Sequence, residues 1–264
     1  MSTEAVKCIV DGAVARLVIN RSEKRNAINV DVVLELGRHL DDLALRSDVR
    51  VITLAGEGAC FSAGIDVTAV AGLGGVDETE RGLHLRELAR KIQHVVNRIE
   101  TLEKPVIAVL HSHALGLAME IVLACDFRIA ADDLRFGLPE IYLGLIPDCG
   151  GTTRLTRMVG PAVAKEMILL GDAVDAQTAL ALRIVNEVCP REDLETRTAA
   201  LVERLVTRPA RALGLAKRMI DWSTSMERMT SFDTEVMAQT AAVSAPDFPQ
   251  ILANGVMTLR AKKH

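Results

Sequence analysis

What most narrows the fold of this chain is a change of rhythm near residue 160. Before it, short β-branched runs alternate with stretches of helical periodicity; after it the pattern is helical almost without a break. Residues 6–10 and 14–20 read as strands joined through Asp11-Gly12, a dipeptide suited to a hairpin turn. Residues 29–46 place Val32, Val33, Leu36, Leu40 and Leu43 at helical spacing. Residues 49–54, 106–110 and 126–130 read as further strands, with helices over 64–71, 79–102 and 116–124 between them. Residues 72–75, Gly-Leu-Gly-Gly, read as a flexible link. Strands separated by helices need crossover connections, which predicts an α/β fold with a largely parallel sheet. Helices are expected over 161–170, 176–182, 192–206, 209–222, 226–243 and 247–262, with one short strand at 184–188. This divides the chain into an α/β core, residues 1–195, and a helical C-terminal region, residues 196–264. Met229, Phe232, Val236 and Met237 give that region an apolar face to pack on the core or on another subunit.

With 264 residues, 49% hydrophobic and 25% charged, the chain has the composition of a folded globular protein. A net charge of −4 supplies no basic footprint for nucleic acid or an anionic membrane, so any anionic ligand must be met by local cations. The five cysteines are scattered and never form C-x-x-C, which argues against a disulfide framework or a zinc site and for a reducing compartment. The longest apolar stretch, residues 114–125, is interrupted by Glu120, so no membrane span is expected. The first ten residues lack a basic and then apolar leader, and a cytoplasmic location is expected.

Two carboxylates stand where carboxylates are costly. Glu120 lies in HALGLAMEIVLACD and Glu140 in RFGLPEIYLGLIPDCGG, both apolar and rich in glycine. Each alone is equally well a structural group pairing Arg128, Arg135 or Arg154. Brought together, they would push each other's pKa apart, an arrangement suited to acid and base work near neutral pH. Upstream, the turn Cys60-Phe61-Ser62-Ala63-Gly64-Ile65-Asp66 leads from a strand into a helix and leaves the Ile65 N–H free. The turn through Gly116 leaves the Leu117 N–H free in the same way. Either is a plain strand–helix turn taken alone; converging, they form an oxyanion hole. The segment Asn20 to Asn29 is a solvated charged loop, or it offers Lys24 and Arg25 to the phosphates of a nucleotide-like ligand. His111 and His113 read as structural.

At these residues the chain resembles the enoyl-CoA hydratase/isomerase (crotonase) superfamily over roughly residues 5–260. NRSEKRNAIN, FSAGID, KPVIAV followed by ALG…E…ACD, and FGLPEIYLGLIPDCGGTTRL match in order and spacing. The resemblance implies a spiral of ββα units with a helical C-terminal region that builds trimers, usually paired into hexamers. It implies an acyl-CoA substrate whose thioester oxygen is held by the N–H groups of Ile65 and Leu117. Ala63 would lie beside the adenine, Lys24 and Arg25 near the CoA nucleotide, and Gly64, Asp66, Val67, Thr68 and Gly116 along the substrate. Glu120 and Glu140 would hold a water between them and add it to a trans-2-enoyl-CoA, with no metal or redox cofactor. Three residues depart from the pattern. Ser22 stands where proline is common, Gly116-Leu117-Ala118 replaces a run of glycines, and Asp148 stands where hydratases have glycine. Dienoyl-CoA isomerases carry a catalytic aspartate there, which makes isomerisation through Glu140 and Asp148 the alternative to hydration. A non-catalytic acyl-CoA-binding paralogue is the third reading, and the paired glutamates argue against it.

Overall fold

Strands β1 (Val6–Asp11) and β2 (Val14–Ile19) pair antiparallel across the turn at Gly12, whose φ of 53° suits a tight hairpin. The computed structural model describes residues 4–261. From β2 onward the main sheet is parallel. Strands β3 (Val51–Gly56), β4 (Val106–Leu110), β6 (Phe127–Ala131) and β9 (Glu187–Cys189) follow in the order β1-β2-β3-β4-β6-β9. A second sheet joins three very short strands, β5 (His113–Leu115), β7 (Arg135–Gly137) and β8 (Val174–Asp175). Runs this short carry no readable periodicity, so pattern alone did not predict this sheet.

The helices fill the crossovers as the parallel pairing demands. They are α1 (Val30–Leu45), capped by Asn29, α2 (Val67–Ala71), α3 (Glu78–Thr101), α4 (Leu117–Leu123), α5 (Gly151–Leu170) and α6 (Ala176–Ala181). Then come α7 (Leu194–Val206), α8 (Ala210–Ser223), α9 (Arg228–Val243) and α10 (Phe248–Ala261). The helix expected over 247–262 ends with Lys262 outside the described residues. Four expectations change. α2 starts at Val67, not 64, because Ser62 and Ile65 form β-bridges to Ala114 and Ile28 and Asp66 caps the helix. Gly72–Gly75 forms a 3-10 turn instead of a loose link. The strand expected over 184–188 is displaced to β9, since Ile184 and Val185 turn back and donate to Ala179 O. The helix expected from 161 begins at Gly151 and breaks at Gly160, where φ is 78°.

Side chains alternate across the strands, so the two faces build different cores. Ile52, Leu54, Ala108 and Leu110 enter the main core with Leu36, Ile99 and Met119. Val51, Ile107 and Ile129 face the other way into a smaller cluster closed by Leu194 and Leu205 of α7. Buried Lys217 ties α8 to the sheet, donating to Ile99 O, Lys104 O and Asp126 Oδ2, the last at 2.8 Å. Farther out, Phe232, Val236 and Met237 of α9 stay exposed. Among the described residues no helix is long and apolar enough to cross a membrane.

Candidate active site

The sheet delivers two turns side by side. Residues 61–65 run beside β5: Phe61 N donates to His111 O, Ser62 N to His113 O, and Ser62 bridges Ala114. On the other side Ile28 N donates to Gly64 O and Asp66 N to Ile28 O. In such a parallel bridge the N–H of Ile65 points away from Ile28. Leu117 opens α4, so its N–H has no carbonyl within the helix to bond. The two turns touch through glycines. Gly64 has φ of +94°, and a Cβ there would stand 2.5 Å from Leu115 O. Gly116 has φ of +55°, and a Cβ there would stand 3.2 Å from Glu140 Oε1. Glycine is required at both positions, by conformation and by close approach.

Ile65, Leu117, Glu120, Glu140 and Asp148 line one cavity of about 250 Å³. Aliphatic side chains, Leu85, Leu88 and Ile92 of α3 with Leu145 and Ile146, make most of the remaining wall. The helix over 79–102 was readable from sequence; that Leu85, Leu88 and Ile92 on it face a cavity was not.

The two glutamates are held differently. Glu120 is 2% exposed, and its Oε2 accepts from Cys149 N and Gly151 N, both at 2.7 Å. Burial pushes its pKa up to about 8; the Gly151 and Cys149 N–H bonds oppose this, and the charges of Glu140 and Asp148 add to it. Glu140 stands on a 3-10 turn, Pro139–Leu143, and both its carboxylate oxygens are buried with no hydrogen-bond partner among the described residues. Burial pushes it up to about 7, with the charge of Asp148 adding to the rise. A buried, unpartnered carboxylate is costly and marks a place where something else is to be bonded. Of the three arginines that a structural role would need, exposed Arg135 makes no bond to either glutamate among the described residues, and the other two are engaged elsewhere. Arg128 donates to Ile184 O and Cys125 O, and Arg154 pairs Glu100.

Asp148 joins the same cavity. Its carbonyl accepts from Gln93 Nε2 at 2.6 Å, and its Oδ1 accepts from the Cys149 thiol at 3.4 Å. Burial raises the Cys149 thiol and keeps it protonated. Ligand atoms of Glu120, Asp148 and Cys149 lie within 4.8 Å of one another. A protonated thiol and a carboxylate already taking two N–H bonds make a poor donor set for a metal.

The remaining sequence candidates surround the turn without lining the cavity. Ala63 N donates to Arg25 O, Asn26 Nδ2 to Cys60 O, and Ser62 Oγ to Asn26 O, so the loop carrying exposed Lys24 and Arg25 is pinned to residues 60–65. Asp66 caps α2: bonds from Thr68 hold its carboxyl below the usual range, and Arg21 assists at 3.2 Å. Its carboxylate is thereby committed to the turn. Val67 and Thr68 are exposed, and it is Val70 beyond them that reaches the cavity.

The family model for enoyl-CoA hydratase/isomerase matches residues 10–256. The chain belongs to this family. Within it the chain is most like the enoyl-CoA hydratases, and it is an enzyme. It is 33% identical over 232 residues to the short-chain-enoyl-CoA hydratase of Clostridium acetobutylicum, covering 87% of this chain and 86% of that one. The crystal structure of enoyl-CoA hydratase from Bacillus anthracis superposes with a TM-score of 0.88 at 30% identity, covering 98% of this chain and 96% of that chain. A Thermobifida fusca protein crystallised with acetoacetyl-CoA superposes with a TM-score of 0.82 at 30% identity, over 91% of this chain and 95% of that one. The expected crotonase fold is the fold observed.

Proposed function

We propose that this enzyme adds water reversibly to a trans-2-enoyl-CoA, giving a 3-hydroxyacyl-CoA, with Glu120 and Glu140 as its acid and base. The observation that carries the reading is one cavity lined both by the two carboxylates and by Ile65 and Leu117, whose N–H groups have no hydrogen bond among the described residues. The N–H groups of Ile65 and Leu117 hold the thioester oxygen. As the water oxygen bonds to Cβ, its proton passes to a carboxylate and the C=C electron pair moves toward the thioester. The resulting enolate is stabilised by the two N–H groups, each worth about 2.7–4 kcal/mol in sites of this kind. In this reading Glu140, whose Oε1 would stand 3.2 Å from a Cβ at Gly116 beside Leu117, delivers the proton to Cα, and Glu120, held by two N–H bonds, orients the water. Near neutral pH the pair retains about one proton between its two sites, as a donor and acceptor working together require.

Acid–base chemistry of this kind requires no metal or redox cofactor. Lys24 and Arg25, beside the turn, would meet the CoA phosphates. The exposed apolar residues of α9 support assembly into trimers or hexamers, and five unpaired cysteines support a reducing cytoplasm. The competing reading, double-bond isomerisation by Glu140 and Asp148, is favoured by Asp148 lining the same cavity. Mass spectrometry after incubation with a trans-2-enoyl-CoA separates them. A gain of one water supports hydration. No mass change, with ultraviolet absorbance showing bond migration in 3-enoyl- or 3,5-dienoyl-CoA, hands the site to the isomerase.

A further inference from the structure

Cys149 N donates to Glu120 Oε2 at 2.7 Å, and the carbonyl of the same peptide unit, that of Asp148, accepts from Gln93 Nε2 at 2.6 Å. A carbonyl can only accept, so the amide nitrogen of Gln93 is the atom it meets. The Gln93 amide, the 148–149 peptide and the Glu120 carboxylate thus form one hydrogen-bonded chain. In a trans peptide the C=O and N–H point in opposite directions, so Gln93 and Glu120 stand on opposite sides of the backbone. Gln93 belongs to α3, where its neighbour Ile92 lines the carboxylate cavity. Gln93 itself faces a polar cleft of about 310 Å³ with Asn97, Glu100, Thr152 and Arg154, and that cleft shares only Asp148 and Cys149 with the carboxylate cavity.

The two N–H groups on Glu120 are fixed in different ways. That of Gly151 belongs to a peptide whose carbonyl, Gly150 O, accepts from Arg154 N at 2.9 Å in the first turn of α5, so helix geometry sets its direction. The 148–149 peptide lies before that helix. Among the described residues Gln93 is the one donor to its carbonyl, and Gly150, next along the chain with φ of +106°, gives the backbone little local stiffness. A donor on the carbonyl also polarises the peptide and strengthens its N–H as a donor. The Cys149 bond draws the Glu120 pKa down against burial, while the charges that face Glu120, those of Glu140 and Asp148, push it up. Across the cleft, Arg154 pairs Glu100.

We propose that Gln93 is a positioning residue for the hydration, aiming the Cys149 N–H at Glu120 through the peptide between them. The inference rests on the reading of Glu120 as one of the acid–base pair. Gln93 lies outside the carboxylate cavity and acts on the reaction only through Glu120. Its removal frees the 148–149 peptide to turn, leaves Glu120 with one firm anchor at Gly151, and loosens the aim of the water.

Gln93→Leu, of similar size and without a donor, is the test, read in two ways on the full-length protein. Turnover of a trans-2-enoyl-CoA should lose about 10–100-fold in kcat with KM little changed, the usual weight of a group that orients a functional one. Glu120, followed by NMR of isotopically labelled glutamate carboxyls and assigned by its absence in Glu120→Gln, should titrate at higher pH than in the wild type, because a weakened N–H bond stabilises the carboxylate less. Gln93→Lys, which keeps a donor, should recover most of the wild-type kcat. Should Gln93→Leu fail to fold, Gln93→Met carries the same test. An unmoved Glu120 titration, a change in KM alone, or a Gln93→Lys enzyme as slow as Gln93→Leu overturns the proposal. A Glu120 titration that moves as expected in a protein whose wild type does not hydrate the substrate upholds the link from Gln93 to Glu120 and overturns the hydratase reading instead.

Discussion

Glu120 lends itself to a test in which structure and chemistry separate. Both of its N–H donors, from Cys149 and Gly151, converge on one oxygen, Oε2, at 2.7 Å. The single amide oxygen of a glutamine can occupy that place. Glu120→Gln should therefore keep both bonds and lose only the exchangeable proton. Glu120→Ala instead leaves two buried N–H groups unmet, at about 1–3 kcal/mol each, so a loss of about 2–6 kcal/mol in unfolding free energy is expected. The pH dependence has a definite sign. The folded pKa, about 8, lies above the ordinary 4.5, so the stability tied to the protonated group is fully present below 4.5 and is lost as pH rises through about 8. The full shift corresponds to about 5 kcal/mol, an upper bound because the chain can relax. A glutamine cannot ionise, so Glu120→Gln should match the wild type near pH 5 and exceed it increasingly toward pH 9. Hydration should fall by about 10²–10⁴, the usual weight of a general acid or base. Urea unfolding at pH 5, 7 and 9, run beside turnover of a trans-2-enoyl-CoA, tests both parts. Wild-type turnover by Glu120→Gln, or a stability advantage that shrinks as pH rises, would refute the reasoning.

The Glu140 carboxylate has no hydrogen-bond partner among the described residues, so Glu140→Gln should leave the melting temperature unchanged or higher while cutting hydration by about 10²–10⁴. Destabilisation near pH 6 would show a partner that the geometry lacks. The wild-type pH–rate profile should be bell-shaped, with limbs near the pair's values of about 7 and about 8, and each glutamine variant should remove that shape. Asp148→Asn should keep hydration within about tenfold, since its carboxylate holds neither glutamate, but abolish any bond migration; a collapse of hydration would make Asp148 part of the addition. Gly116→Ala forces a Cβ to φ of +55°, 3.2 Å from Glu140 Oε1, and should lower kcat/KM by about 10² through misplacement of that carboxylate and the adjacent Leu117 donor. Unchanged kinetics would mean that the turn has slack.

What sequence could reach was set by how local the physics is. A carboxylate in an apolar stretch announces its cost within a few residues, which is why Glu120 and Glu140 stood out before any coordinates. Gly64 and Gly116 were readable for the same reason, because a turn into a helix is a local event. The anchoring of Glu120 was not readable: Cys149 and Gly151 carry backbone donors, and any residue except proline supplies one. The isolation of Glu140 was equally hidden: of the arginines near it in sequence, Arg128 and Arg154 are engaged by Cys125, Ile184 and Glu100, and the nearest, Arg135, is exposed without a bond to it among the described residues. The three-stranded sheet escaped because its strands, the shortest only Val174–Asp175, are too brief to show a period.

That asymmetry between the glutamates bears on the choice between the two reactions. Hydration needs one carboxylate fixed well enough to aim a water and another free to pass a proton to carbon. In the proposed hydration Glu120, locked by two backbone bonds, and Glu140, whose carboxylate has none among the described residues, would divide those tasks. Isomerisation needs a proton lifted at one carbon and returned at another, a task for two acids that both reach the chain. Asp148 lines the cavity, yet its Oδ1 is already taken by the Cys149 thiol. Its charge raises both glutamates, so its clearest action in the resting site is to help keep a proton available to the pair. On the proposed reading Asp148 would tune the glutamate pair, and losing its charge should move both limbs of the pH–rate profile downward.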